Sequence, residues 1–124
     1  MYHRAGQQAI KPLSEFIDYL GEVFVEFGSI QARKMFGGYG LYFDGAMFAL
    51  VADNTLYMKT NSALAAEYES RGLPAFEYSK GGKPIKMSYH LAPEEIYDDT
   101  EVAAHWAHRS WQIAFENQSK SRRK

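Results

Sequence analysis

Cysteine is absent from the 124 residues, and proline occurs only four times. Without cysteine the chain can form neither disulfides nor thiolate metal sites, and a cysteine nucleophile is excluded. No segment approaches the roughly 18 consecutive apolar residues that a membrane-spanning helix needs. The first eleven residues carry three basic or histidine side chains and no apolar run, which does not fit a signal peptide. We therefore expect a cytoplasmic protein that has no contact with membranes.

The net charge of −1 hides an uneven distribution of charge along the chain. The last eight residues, 117–124, hold four basic residues and no acidic one, so residues 1–116 together carry a charge of −5. Such an acidic body does not fit a globally basic DNA-binding domain. We expect contact with DNA to be weak or indirect, with nonspecific attraction to phosphate confined to the basic tail.

Composition and length indicate one globular domain. Hydrophobic residues make up 46% of the chain and aromatic residues 15%, which is too apolar for a disordered protein. We divide the chain into a leader without regular structure (1–11), a single domain (12–117) and a basic tail (118–124).

Apolar residues at helical spacing predict a first helix, which begins near Pro12 and ends at Gly28. Its apolar stripe comprises Leu13, Phe16, Ile17, Leu20, Val23, Phe24 and Phe27. A second helix follows a cap at Thr60 or Asn61 and ends at Gly72. The third helix follows a cap at Asp98 or Asp99 and runs to about residue 117, after a short helical turn at 93–95.

Six segments between these helices have the composition of short strands: 31–36, 39–43, 47–51, 56–59, 75–79 and 84–89. Asp44-Gly45 is a strong hairpin signal, and Asp53-Asn54 marks another tight turn. Connections this short require antiparallel neighbours. The expected order is helix, three or four strands, helix, two strands, helix. The fold class is α+β, an antiparallel sheet of about five strands with three helices packed on it.

The segment 33–45 reads Arg-Lys-Met-Phe-Gly-Gly-Tyr-Gly-Leu-Tyr-Phe-Asp-Gly, and a second apolar segment follows it to Lys59. This pattern resembles the signature of the TfoX (Sxy) N-terminal domain family, and the resemblance extends over roughly residues 13–115. It implies an α+β fold shared with secretion-chaperone-like proteins, some of which form dimers. Full-length members regulate natural competence and are thought to act with the cyclic-AMP receptor protein. Longer members carry a second, helical domain, so the resemblance implies an N-terminal domain that stands alone or was trimmed.

The glycines of the segment 37–40 do not match a phosphate-binding loop, because strands rather than a following helix flank them. We interpret them as a bulge or as a close approach of the backbone to a neighbouring side chain. The basic pair Arg33 and Lys34 lies beside Tyr39 and Tyr42. Basic residues among aromatic ones can bind single-stranded nucleic acid, but the acidic body favours a simpler role in solvating a sheet edge.

Other chemistry-bearing residues are more easily explained by structure. His105 and His108 with Glu101 offer three metal ligands on one helix, but the spacing matches no zinc motif, and a solvated helix surface is the favoured interpretation. Trp106 and Trp111 are five residues apart and must face different sides of that helix. One should face the sheet, and Trp111 with Phe115 could form an exposed patch.

No catalytic, cofactor or metal residues are predicted, and we do not expect an enzyme. The leading hypothesis is a regulator that modulates transcription of competence genes through protein–protein interaction. Its partners would be the transcription machinery or the cyclic-AMP receptor protein. The alternative is a homodimeric chaperone-like or ligand-binding module without a direct role in transcription. The predicted interface residues are Arg33, Lys34, Tyr39, Trp111 and Phe115.

Overall fold

The computed structural model describes residues 13–35 and 37–122. These residues form three α-helices and one sheet, which confirms the predicted α+β class. The helices are α1 (Leu13–Val23), α2 (Ser62–Ser70) and α3 (Thr100–Arg122). The strands are β1 (Gln31–Met35), β2 (Gly38–Phe43), β3 (Ala46–Ala52), β4 (Thr55–Lys59), β5 (Ala75–Lys80) and β6 (Lys83–Leu91). A 3₁₀ turn, Glu94–Tyr97, precedes α3 at the place where a short helical turn was expected.

All six candidate strands join the sheet, one more than the approximate count of five. The strand order is β1-β2-β3-β4-β6-β5, and every neighbouring pair is antiparallel. The first four strands follow one another as hairpins. The chain then passes through α2 and returns as the outer strand β5, so that β6 lies between β4 and β5.

The two predicted tight turns connect the central hairpins. Asp44 and Gly45 have φ angles of 49° and 81°, and Asp53 and Asn54 have φ angles of 54° and 56°. Left-handed backbone at both central positions is typical of the two-residue turn whose twist matches that of the flanking strands. Aspartate, asparagine and glycine tolerate this conformation better than other residues do, so these sequences form hairpins.

The glycine-rich segment has the structural role that the sequence suggested. A Cβ atom at Gly38 would lie 1.9 Å from the carbonyl oxygen of Val51 on β3. A Cβ atom at Gly40 would lie 2.7 Å from the Met35 sulfur and 2.9 Å from the Met47 sulfur. Gly38 therefore requires glycine, because the backbone of β3 occupies the space of a side chain, whereas a side chain at Gly40 would have to displace the ends of two flexible methionine side chains.

Polar side chains cap two helices at residues that the sequence predicted. The Asn61 side chain accepts a 2.9 Å hydrogen bond from the Leu64 amide at the start of α2. The Asp99 carboxylate accepts a 2.9 Å hydrogen bond from the Glu101 amide at the start of α3. Each bond satisfies an amide that the first turn of a helix leaves unpaired.

Two helix ends differ from the prediction. The α-helical part of α1 ends at Val23, and hydrogen-bonded turns continue the chain to Gly28, where φ is 152°. α3 continues to Arg122, five residues beyond the predicted end, because no glycine or proline interrupts it. The predicted leader 1–11 and Pro12 lie outside the described residues, and the predicted tail 118–124 begins within α3.

The core lies between one face of the sheet and the helices. Leu20 and Phe24 from the first helical segment pack with Phe48 of β3, and Tyr68 of α2 packs with Trp106 of α3. Sheet residues that complete this cluster include Leu41, Val51, Leu56 and Met58. We call this the helix face of the sheet. The strand side chains that alternate with these core residues point to the opposite side of the sheet, which we call the open face.

Candidate functional site

Arg33 and Lys34 lie on β1, an outer strand of the sheet, and both side chains are exposed. The Arg33 guanidinium carbon lies 4.7 Å from the centre of the Tyr42 ring on β2, a cation–π contact on the open face. Lys34 pairs across the strands with Tyr39. The structure therefore brings one predicted basic residue together with an aromatic ring at the sheet edge.

Tyr39, which was predicted to share this site, belongs to the other side of the sheet. It is half-buried and packs against the hydrophobic core cluster. Tyr39 and Tyr42 lie three residues apart on β2, and successive residues of a strand face opposite sides of the sheet. The Tyr39 ring is therefore on the side opposite the Arg33–Tyr42 pair. Tyr42, and not Tyr39, is the aromatic neighbour of Arg33.

Trp111 and Phe115 form an aromatic ridge on α3. The Trp111 indole nitrogen donates a 2.7 Å hydrogen bond to the carbonyl oxygen of Phe43, and the two rings meet edge-on at 5.8 Å. The Phe115 ring stacks on the Trp111 ring at 5.1 Å and is 42% exposed. Trp111 thus fastens the helix to the end of β2, and Phe115 presents apolar surface to solvent.

His105 and His108 are exposed on α3 and contact tryptophan rings: His105 meets Trp106 at 6.0 Å, and His108 meets Trp111 at 6.0 Å. Among residues 13–35 and 37–122, no three histidine, aspartate or glutamate side chains are grouped so that they could hold a metal ion. The same part of the chain contains no helix that is long and apolar enough to cross a membrane.

No local sequence pattern indicates a partner for His90, but the structure shows two. His90 is 3% exposed, and its Nδ1 lies 3.0 Å from the Thr60 hydroxyl oxygen. Its Nε2 lies 2.8 Å from a carboxylate oxygen of Glu69 on α2. The hydroxyl and the carboxylate satisfy both ring nitrogens, so this histidine connects β6 to α2 without an open position for a ligand. The partners are 30 and 21 residues distant in sequence, and no local pattern reveals them.

The sequence also did not predict that two arginine side chains flank the Trp106 ring; we call Trp106, the two arginines and their glutamate partners the clamp. The guanidinium carbons of Arg71 and Arg109 lie 5.4 Å and 5.1 Å from the centre of the Trp106 ring. Each arginine also makes a two-bond ion pair, Arg71 with Glu95 and Arg109 with Glu67. The hydrogen bonds from these arginines lower the pKa of both carboxyl groups, and Glu67 raises the pKa of Arg109. The clamp joins α2 and the 3₁₀ turn to α3.

A pocket of about 400 Å³ opens between α1, the β3–β4 turn and the 3₁₀ turn. Its walls include Phe16, Leu56, Leu73 and Leu91, and Glu94 supplies a carboxylate. Such a mostly apolar cavity with few polar groups is suited to an apolar group that carries a hydrogen-bond donor or a positive charge.

The open face combines aromatic and basic side chains. Its aromatic residues are Tyr42, Tyr57, Phe76, Tyr78 and Tyr89, and its basic residues are Arg33, Lys59, Lys80 and Lys83. Burial, with a smaller contribution from nearby Tyr42, raises the pKa of Tyr89 to about 12, and burial lowers the pKa of Lys59. Only the Arg33–Tyr42 part of this surface was apparent from the sequence.

Comparison with known proteins gives the same family that the segment 33–59 resembles. The family model described as TfoX N-terminal domain matches residues 22–114. DNA transformation protein TfoX1 of Aliivibrio fischeri is 37% identical over 77 residues, which cover 59% of this chain and 37% of that protein. Protein Sxy of Escherichia coli is 30% identical over 77 residues, covering 61% of this chain and 36% of that protein. The matched segment thus spans little more than a third of either relative. The family match covers most of the chain and includes all six strands and α2, so this chain belongs to the TfoX N-terminal domain family.

Proposed function

We propose that this protein is a regulatory module of the TfoX type that modulates the transcription of competence genes by binding a protein partner. The observation that carries the proposal is the family match over residues 22–114. It is supported by the name of one relative, a DNA transformation protein. The partner proposed is a component of the transcription machinery or the cyclic-AMP receptor protein, and the protein's contact with duplex DNA is weak or indirect.

The aromatic ridge of Trp111 and Phe115 is the surface on which we place this partner. Phe115 is exposed, and its stacking on Trp111 holds the ring in one orientation. Trp111 is itself held by the hydrogen bond to Phe43. A rigid aromatic side chain loses little conformational entropy when it is buried, and such side chains dominate the binding energy of protein interfaces.

The test measures fluorescence anisotropy of a labelled competence-promoter duplex with the cyclic-AMP receptor protein, titrated with this protein. We expect tighter promoter binding only when the receptor protein is present. Phe115→Ser should weaken this effect about tenfold or more, as expected for the loss of a central aromatic anchor. Val25→Ser is the matched control, because Val25 is an apolar residue that is 60% exposed and is not part of the aromatic ridge. No effect of the wild-type protein with the receptor would contradict the proposal for this partner.

The pocket beside the 3₁₀ turn favours a second candidate, a ligand-binding module of the chaperone-like kind. Its aromatic and leucine walls with the Glu94 carboxylate are suited to an aliphatic amine or a basic, apolar side chain. Isothermal titration with hexylamine tests this candidate. Binding that Leu73→Trp abolishes by filling the pocket would support it, and the absence of heat with the wild-type protein would contradict it. Sedimentation of the same sample tests whether the protein forms the homodimer that this alternative predicts.

A further inference from the structure

Positive charge is concentrated in the sheet of this acidic protein. The six strands contain six lysine and arginine residues but only one acidic residue, Glu77. The whole chain contains 15 acidic residues and 14 lysine or arginine residues. The acidic residues therefore lie almost entirely in the helices, turns and remaining segments, and the sheet, like the C-terminal tail, carries an excess of positive charge.

The register of the strands places four of these six cations on the open face. Leu56 and Met58 point into the core, so Tyr57 and Lys59 point the other way. The ring contact of Phe76 with Tyr57, at 4.9 Å, puts Phe76 on the open face as well.

Alternation along β5 then places Tyr78 and Lys80 beside Phe76. Lys80 pairs with Lys83 at the tip of the hairpin, which puts Lys83 on the same side. Glu77 pairs with Lys86 on the opposite side. The one acidic residue of the strands is thus kept away from the open face.

Aromatic rings adjoin these cations. Phe76 lies between Tyr57 and Tyr78, with ring centres 4.9 Å and 6.5 Å apart, and the Phe76 and Tyr78 planes differ by only 20°. All three rings are half-buried and therefore keep part of their surface in solvent. Ile85, the cross-strand partner of Tyr78, is 38% exposed on the same side. The helices described above contribute their core side chains to the other face.

From this arrangement we propose that the β4–β6–β5 half of the open face binds single-stranded DNA. Bases would stack on Tyr57, Phe76 and Tyr78, and phosphates would pair with Lys80 and Lys83. A row of rings beside unopposed cations is the combination that binds single strands without sequence preference. Duplex DNA is a poor fit because its stacked bases leave no free faces for the rings. The choice of DNA over RNA rests on the proposed function.

The experiment measures the anisotropy of a fluorescein-labelled 20-nucleotide oligo-dT as the full chain is added, at several salt concentrations. A duplex of the same length and an oligo-U of the same length are measured in parallel. We expect oligo-dT to bind more tightly than the duplex. Trp106 and Trp111 lie on the helix side of the sheet, so their fluorescence should stay constant while the oligonucleotide binds.

Lys83→Ala and Lys86→Ala form a matched pair on one strand, three residues apart, with their side chains on opposite faces. Lys83→Ala should weaken binding and reduce the slope of log affinity against log salt by about 0.7, the value for one phosphate contact to a single strand. Lys86→Ala should change neither quantity. Phe76→Leu, which keeps apolar packing against Tyr57, should weaken binding about tenfold by removing one stacking ring.

Several outcomes would overturn the proposal. Equal losses of affinity for oligo-dT in Lys83→Ala and Lys86→Ala would show that binding is only a general attraction to positive charge. Equal affinity for duplex and single strand, or displacement of oligo-dT by polyglutamate at matched charge, would reject base stacking. Tighter binding to oligo-U would reject DNA as the occupant. The assay contains neither promoter nor receptor protein, so its failure is distinguishable from failure of the proposed regulatory function.

Discussion

The indole nitrogen of Trp111 donates a 2.7 Å hydrogen bond to the backbone carbonyl of Phe43, across 68 residues of sequence. Phe43 ends β2, and its ring meets the Trp111 ring edge-on. The Trp111 side chain on the helix thus supplies a hydrogen-bond donor to a backbone carbonyl at the end of a strand. The contact sets the position of α3 on the sheet and the orientation of the Phe115 ring stacked beside it.

Replacing Trp111 with phenylalanine keeps an aromatic ring but removes this donor. We expect the free energy of unfolding to fall by about 1 kcal/mol or more, since a part-buried carbonyl loses its partner. Urea unfolding monitored by circular dichroism measures the change. Phe115→Leu, which alters an exposed ring on the same helix, should change stability by less than about 0.5 kcal/mol. Equal stability of Trp111→Phe and the wild type would show that the hydrogen bond contributes nothing.

Tyr68 is fully buried, and its hydroxyl has no hydrogen-bond partner among the described residues. The neighbouring Ser110 hydroxyl donates instead to the Lys59 carbonyl, at 2.7 Å. Burial raises the pKa of Tyr68 well above its ordinary range. Because an unpaired buried hydroxyl is unfavourable, Tyr68→Phe should increase the free energy of unfolding by up to about 1 kcal/mol. Tyr57→Phe, at a half-exposed ring, serves as the control with little expected change. A loss of stability in Tyr68→Phe would indicate that Ser110 pairs with the tyrosine after all.

Two glycine-to-alanine substitutions should have opposite effects. A Cβ at Gly38 would meet the Val51 carbonyl oxygen, whereas nothing lies within 4 Å of a Cβ at Gly21 in α1. Gly38→Ala should separate β2 from β3 and reduce the free energy of unfolding by about 3 kcal/mol. Gly21→Ala should stabilise the protein by about 0.5–1 kcal/mol, because alanine loses less entropy in a helix. Thermal unfolding of both variants measures these changes in stability. A Gly38→Ala protein as stable as the wild type would contradict the close approach of Gly38 to the Val51 carbonyl.

The clamp around Trp106 predicts a loss of stability in acid. Hydrogen bonds from Arg109 and Arg71 lower the pKa of Glu67 and Glu95 below their ordinary value of 4.5 in the folded protein. The unfolded chain therefore binds more protons than the folded chain just below pH 4.5, and stability falls as the pH decreases through this range. Above pH 4.5 both contributions are fully present.

Unfolding measured in urea between pH 6 and pH 3 tests this dependence. Glu67→Gln should lower stability at pH 6 and make the decline towards pH 3 shallower, because one titrating group is gone. The effect should be small, since both side chains remain in contact with solvent, with 44% of Glu67 and 41% of Glu95 exposed. Glu22→Gln, on an exposed carboxylate of α1 outside these ion pairs, is the control and should keep the decline of the wild type. An unchanged decline in Glu67→Gln would mean that this ion pair does not contribute.

Local sequence signals predicted most elements because short-range physics controls them. The turns at Asp44-Gly45 and Asp53-Asn54 need left-handed backbone, and the residues present tolerate it. Asn61 was one of two predicted caps for α2, since its side chain reaches an amide three residues on. The predicted end of α3, at about residue 117, was five residues too early, because no glycine or proline after 117 marks the end of a helix. Instead, the Gln118 amide donates to the Gly45 carbonyl at 2.9 Å, a contact that no local pattern reveals.

The candidate site was predicted only in part for the same reason. Arg33, Lys34 and the Trp111–Phe115 pair were chosen from local composition, and their use as an interface stays a prediction. Tyr39 was grouped with Arg33 because the two are near in sequence, yet strand alternation turns Tyr39 into the core.

Sequence alone determined the helices, the hairpin turns and the family of this protein, because caps, turn residues and apolar spacing act over a few residues. Tertiary structure decided the position of β6 between β4 and β5, the partners of His90 and the clamp on Trp106. It also decided that Tyr57 and Phe76, from strands on either side of β6, meet on the open face. Apart from the contact of Arg109 with Trp106, these relationships join residues that are distant in sequence, and only the packing of the whole core brings them together.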